Sequence, residues 1–223
     1  MSHAANAPDS NAYHHGDLRA ALIAEGRRAL EHEGAQDISL RKLARAVGVS
    51  EAAPSRHFAG KMDLLATIAA SGFDDLSRLR RQALPDCATP LARAYSMMRI
   101  YVRFAQQHKG LFDLMIGPRI LHKTEYPELA QAISASFELF ASAVRDYARE
   151  HGWKKKQMDL VTHAAWSVEH GLATLIIADR VDHDDRRIDI DAMIHFSMTL
   201  LLAGIAAGPQ GLAAIEDGLK ARD

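Results

Sequence analysis

Residues 38–65 read ISLRKLARAVGVSEAAPSRHFAGKMDLL. Leu40, Leu43, Ala44 and Val47 recur there at i, i+3, i+4 and i+7, one apolar stripe on a helix of about two turns. Ser39 is placed to cap its start, and Gly48 supplies the left-handed residue that lets the chain leave it. Val49 returns to the core, and Ser50 is positioned to cap a second short helix over 51–57. Pro54 falls in the first turn of that helix, where a missing N–H costs least. Two short helices around a Gly-containing turn form the helix-turn-helix pattern, whose second helix enters the major groove of DNA. Helices this short need neighbours to lean on.

Charge supports that reading over an ordinary helical hairpin. Arg41, Lys42, Arg45, Arg56 and Lys61 crowd the polar side, and Glu51 is the only acid between Ile38 and Met62. A solvated face usually mixes its signs, whereas a phosphate-facing one does not. The whole chain of 223 residues has a formal net charge of −1, so DNA binding must come from this local cluster.

Three further stretches carry a resemblance. YHHGDLR from Tyr13, ISLRKLARAVGVS and APSRHFAGKMDLL together resemble the N-terminal DNA-binding domain of the TetR family of transcriptional regulators, over about 13–76. The most specific piece is HF-x-x-K-x-x-LL at His57, Phe58, Lys61, Leu64 and Leu65. By this resemblance Arg41 reaches a base edge from the start of the first short helix, where Arg suits guanine. Glu51, Ala52 and Ala53 take the groove-facing start of the recognition helix, while Ser39, Ser55, His57 and Lys61 fall on phosphate-contact places, which position without specifying. Ser55 departs from the Tyr common in the family and weakens one such contact. In the same way AWSVEHGLATL, with Trp166, His170 and Gly171, resembles the W-x-x-x-H-G signature of one subgroup of the family's C-terminal domains.

Around this centre the chain reads as all-α: a three-helix DNA-binding domain joined by a long helix to a helical ligand-binding and dimerisation domain. Residues 1–12 are small and polar, an expected disordered tail. Residues 13–84 form the DNA-binding domain. They begin with a helix over 18–33, capped by Asp17, ended by Gly34 and buried through Leu22, Gly26, Ala29 and Leu30. Gly26 implies close approach of another helix. A long helix over 62–83 leads out through Leu65, Ile68, Ala69, Gly72, Phe73, Leu76 and Leu79. Pro85 and Pro90 break the chain, and Thr89 before Pro90 starts the next helix. Residues 85–223 form the effector-binding and dimerisation domain, with helices expected over 91–107, 111–116, 128–151, 157–180 and 190–207. No strand alternation occurs.

By the resemblance, the last two long helices join two copies of the chain into a homodimer, and a small molecule binds between helices of the larger domain. Tyr95, Met98, Phe112, Met115, Phe137, Phe140, Trp166 and His170 are the candidate ligand contacts. Methionine and aromatics line adaptable pockets but also fill cores, so either role fits each of them. With few charges expected inside, the effector would be apolar or flat.

Several classes are excluded. No nucleophile elbow, Walker loop or dinucleotide fingerprint occurs, so no enzyme is expected. Twelve histidines invite a metal reading, but His14 and His15 diverge as neighbours and His163 and His170 are seven apart, so no metal or other cofactor is expected. A lone Cys87, no signal peptide and no membrane-spanning apolar run point to a cytoplasmic protein without a membrane partner. The leading reading is a ligand-responsive regulator, in this family most often a repressor, that binds a palindromic double-stranded DNA operator as a homodimer. The alternative is a helical small-molecule-binding protein with weakened DNA binding.

Overall fold

The computed structural model describes residues 17–118, 120, 125–181 and 187–220, and among these every regular element is helical. The expected tail at 1–12, His14 and His15 lie outside the described residues. The head begins with α1 (Leu18–Glu33), where the Asp17 carboxylate accepts from Ala20 N at 2.9 Å and Gly34 turns the chain at φ 76°. α2 (Leu40–Val47) starts on Ser39 Oγ, which accepts from Lys42 N at 3.2 Å, and stops at Gly48 in the left-handed region. Both helices match their expected bounds and caps. α3 (Lys61–Ala83) closes the head, and Gly26 explains how tightly: a Cβ there would lie 2.5 Å from Ile68 Cδ1.

One element of the head departs from expectation. Residues 53–56 form a single 3-10 turn, Ala53–Arg56, in place of an α-helix over 51–57, and Ser50 makes no side-chain cap. Pro54 is the cause. An α-helix over 51–57 needs residue 54 to donate to the Ser50 carbonyl, and proline has no N–H to give. The Ser50 carbonyl is taken instead by Ala53 N at 3.0 Å, the tighter i to i+3 spacing of a 3-10 helix.

α3 serves head and body together. Its 23 residues span roughly 35 Å at the usual helical rise, and beyond the head it packs along α6. The body is α4 (Pro90–Gln107), α5 (Lys109–Ile116), α6 (Pro127–Glu150), α7 (Met158–Ile177) and α8 (Ile190–Ala206). Thr89 Oγ1 caps α4 with Pro90 in its first turn, as the sequence predicts. A ninth helix, α9 (Gly208–Lys220), lies beyond the last expected helix over 190–207. Pro209 sits in the first turn, where proline is tolerated, and Gly208 turns the corner at φ 69° with no room for a Cβ beside the His151 carbonyl. No single described helix is long and apolar enough to cross a membrane.

Burial along α7 and α8 is one-sided. Ile194, Met198, Leu202 and Ile205 of α8 face inward, yet Phe196 is 67% exposed and Leu200 62%. On α7, Leu160, Trp166 and Leu175 are exposed as well. Large apolar side chains clustered at a monomer's surface mark an interaction site.

Candidate nucleic-acid interface and effector cavity

In the head, the cation cluster lies at the surface but not idle. Arg41 and Arg45 have side chains 79% and 71% exposed, and both turn toward Glu51. Arg45 donates to Glu51 Oε1 through Nε at 2.8 Å and Nη2 at 2.5 Å, while Arg41 Nε stands 3.8 Å from Oε2. Lys42 pairs with Glu33. Ser55 Oγ donates to the Ala52 carbonyl at 2.7 Å, and the exposed Ala52 and partly buried Ala53 flank it. Lys61 Nζ donates to the Gln36 carbonyl at 2.8 Å, so its amine ties α3 to the loop after α1. Asp63 reaches back over the start of α3 to accept from Ala59 N at 2.9 Å. His57 and Lys61 also border an open cleft of about 900 Å³ between head and body, with Arg19 and Glu128 on its far wall. Ser39 is occupied as a cap. Of the expected DNA residues, Arg41 lies exposed on α2 and His57 and Lys61 border the cleft, while Ser39, Glu51, Ser55 and Lys61 already hold internal partners.

The body holds a partly open, largely aromatic cavity of about 280 Å³ between α3, α4, α5, α6 and α7. Five of the eight expected contacts, Met115, Phe137, Phe140, Trp166 and His170, line it. The other three do not. Met98 is fully buried core, and Phe112 is buried behind Tyr101, edge-on at 5.2 Å. Tyr95 lies elsewhere, with its hydroxyl 3.0 Å from His195 Nδ1 beside a separate apolar groove.

A correction concerns charge. The expectation of few interior charges missed a buried ion pair in the cavity wall: Arg80 Nη2 donates to Glu169 Oε1 at 3.3 Å, with the side chains 2% and 1% exposed. Arg80 is well provided for. It also donates to the Ser136 carbonyl at 2.9 Å and the Met97 carbonyl at 3.3 Å, and its guanidinium lies over the Tyr101 and Phe140 rings at 5.6 and 5.5 Å. Glu169 is not. Its Oε2 is buried with no hydrogen-bond partner among the described residues. Burial outweighs the attraction of Arg80 and pushes the Glu169 carboxyl up to about 8. Tyr101 hydroxyl lies 2.9 Å from His170 Nδ1, and burial lowers the His170 pKa. The sequence did carry a signal. Arg80 falls four residues after Leu76 and Glu169 four after Ala165, so each charge occupies an inward position of an apolar stripe.

Contacts outside α3 also join body to head. Met115, in the cavity wall, sits on α5, whose first N–H groups at Gly110 and Leu111 donate to the Glu31 carboxylate of α1 at 3.0 and 3.2 Å. Gly110 presses so close that a Cβ would lie 2.3 Å from the Leu30 carbonyl oxygen. Across the cleft, Arg19 of α1 pairs with Glu128 of α6 at 2.8 Å.

A basic helix-turn-helix head braced against a helical body with its own cavity defines a regulatory protein of the helix-turn-helix class. Residues 22–68 match the model for bacterial regulatory proteins of the tetR family, and residues 94–201 match the tetracyclin repressor-like C-terminal domain. The chain belongs to the TetR family. It is 32% identical over 119 residues to the nucleoid occlusion factor SlmA of Pectobacterium carotovorum, a match covering 53% of this chain and 59% of that one. The Vibrio cholerae SlmA is 29% identical over 119 residues, 53% of this chain and 60% of that protein. The chain thus spans about three-fifths of the length of these relatives. Among solved structures, a protein from Rhodococcus sp. RHA1 is 30% identical with a TM-score of 0.73, covering 88% of this chain and 99% of that one. The regulator FadR from Bacillus subtilis, solved with stearoyl-CoA, shares the fold at a TM-score of 0.67 and 12% identity over 83% of this chain and 98% of its own.

Proposed function

We propose that this protein is a homodimeric, ligand-responsive transcriptional regulator that binds a near-palindromic operator, one head to each half-site. The observation that carries the reading is the exposed arginine pair, Arg41 and Arg45, at the outer end of a head braced by α3. Arg41 reads a base edge from the start of α2, with Glu51, Ala52 and Ala53 facing the groove; Ser39, Ser55, His57 and Lys61 stand near the phosphates. Residues 13–84 act as the DNA-binding domain and 85–223 as the effector and dimer domain. The bared apolar side chains of α7 and α8 support pairing of two copies there. Trp166, His170 and Gly171 support placing the body in the W-x-x-x-H-G subgroup. The cavity is the effector site, and the α5–α1 contact carries its state to the head. In the absence of effector the protein represses.

The test is binding to the DNA flanking its own gene as salt is varied. Specific binding whose logarithm falls linearly with log salt, by a species that sediments as a dimer, is the expected result. Lys61→Ala weakens binding to all sequences alike, whereas Arg41→Ala relaxes preference at one base pair by about 1–3 kcal/mol. A monomer in solution, or binding no tighter than to unrelated duplex, removes this reading. One observation favours the alternative of a small-molecule-binding protein with weakened DNA contacts: the recognition segment is a single 3-10 turn whose Ser55 hydroxyl is spent on its own backbone. Effector binding without operator binding selects it.

A further inference from the structure

The buried pair at the cavity wall restricts what the cavity accepts. Glu169 Oε2 is a buried oxygen without a partner among the described residues, on a wall whose other polar groups are engaged: Arg80 with Glu169 and the Ser136 carbonyl, the Tyr101 hydroxyl with His170 Nδ1, and the Trp166 indole N–H beside that hydroxyl. A buried polar atom left unpaired is costly, so a bound molecule gains most by supplying its partner. The neighbouring charges decide which partner. As an ion pair Arg80 and Glu169 balance each other. An ammonium brings a second cation toward Arg80 in either protonation state of Glu169, and a carboxylate is opposed by Glu169 wherever that group is ionised. A neutral hydroxyl adds no charge. It donates to the carboxylate and, where Glu169 carries a proton, accepts from it instead.

The rest of the wall sets the body of the molecule. Phe137, Phe140, Tyr101 and Trp166 present ring faces and edges, Phe137 and Trp166 perpendicular at 6.3 Å, and Met115 closes one side with an adaptable thioether. About 280 Å³ suits one or two fused rings. Building on the reading of this cavity as the effector site, we propose that it takes a small neutral aromatic molecule bearing one hydroxyl, of the phenol class, with that hydroxyl on Glu169 Oε2.

The experiment uses four molecules of one shape on the intact protein: 2-naphthol, 2-methoxynaphthalene, 2-naphthoate and 2-naphthylmethylammonium. Calorimetry measures affinity, and quenching of Trp166 emission reports location, since Trp166→Phe leaves Trp153 as the sole tryptophan and abolishes the quenching. 2-Naphthol is expected to bind at least about tenfold tighter than its methyl ether, the loss of one hydrogen bond to a charged group, and tighter than both charged analogues. Glu169→Gln is expected to cut the preference for naphthol over ether to below about threefold. The ligand series on the unaltered protein stands even where that variant fails to fold. Equal binding of the ether, or tighter binding of naphthoate or of the ammonium, overturns the hydroxyl assignment and leaves the cavity as effector site. Failure of all four to bind, or quenching that survives Trp166→Phe, overturns the cavity reading and the hydroxyl assignment with it.

Discussion

The head and the body each hold an Arg–Glu pair, and the two pairs do opposite work. Arg45 and Glu51 meet at 2.5 Å at the surface, with side chains 71% and 45% exposed. Arg80 and Glu169 meet at 3.3 Å with almost no water access. The shorter contact is the weaker one. Water screens the surface pair and takes over either partner when the other leaves, so such pairs contribute about 0–1 kcal/mol. Inside, nothing replaces a lost partner, so removing one strands a charge in a poor solvent. The exposed pair is therefore free to trade Glu51 for a phosphate, while the buried pair is a fixed part of the cavity wall.

The largest effect should come from breaking the buried pair on one side. Arg80→Ala is expected to cost about 3–5 kcal/mol in urea unfolding above pH 8, where Glu169 is ionised and is left without its counter-charge. The double variant Arg80→Met with Glu169→Leu is expected to recover most of that loss, since packed apolar side chains commonly replace a buried pair at little cost. A double variant no more stable than Arg80→Ala would mean that the guanidinium holds the fold through the Met97 and Ser136 carbonyls rather than through Glu169. The same pair sets a pH dependence. Burial raises the Glu169 carboxyl to about 8 against an ordinary value of 4.5, so between these values the folded chain holds a proton that the unfolded chain has released. Stability from this group is complete below about 4.5, falls as pH rises, and is lost above about 8. Unfolding free energy measured from pH 5 to 8 on the wild type and on Glu169→Gln should show that slope in the first and a flatter profile in the second.

The seam between the two regions comes next. Gly110→Ala would put a Cβ 2.3 Å from the Leu30 carbonyl oxygen, a backbone atom that has no rotamer to retreat into. α5 and α1 must separate, at about 1–3 kcal/mol. The informative measurement is effector response rather than stability alone. If α5 relays the cavity to the head, Gly110→Ala should release operator DNA with a smaller dependence on effector than the wild type. Unchanged ligand response in a destabilised variant would place the relay elsewhere, with the Arg19–Glu128 pair across the cleft as the next contact to remove.

What could be read from sequence divides along the same line. Caps and stripes are local, so Asp17, Ser39, Gly48 and Thr89 gave correct helix ends from neighbouring residues alone. The recognition segment is not legible in this way, because the first-turn tolerance of proline hides that the N–H Pro54 lacks is the one an α-helical first turn needs. The cavity was half legible. Residue type alone marks Met115, Phe137, Phe140, Trp166 and His170, and they converge from three successive helices, α5, α6 and α7. Arg80 and Glu169 were passed over because a charge on a helix is ordinarily solvated, and only the pairing of two inward positions across 89 residues makes them compatible with a core.

The smallest expected effect on stability is the most informative for the head. Glu51→Gln removes the negative charge that Arg41 and Arg45 share, and with all three side chains exposed the fold should change by no more than about 0.5 kcal/mol. DNA binding should change in a direction that the pair itself dictates. If the arginines must leave Glu51 to reach the duplex, the variant starts with them held only by a neutral amide and with one fewer negative charge facing the phosphates. Affinity for non-specific duplex should then rise, and the dependence of log affinity on log salt should change little, because the same phosphates are neutralised at the end. If instead Glu51 stays paired in the complex and holds Arg45 in the pose that meets the DNA, the variant loses affinity and its salt slope becomes shallower by about one contact. The two outcomes have opposite signs, so one titration at three salt concentrations tells whether the surface pair is a latch that opens on binding or a brace that survives it.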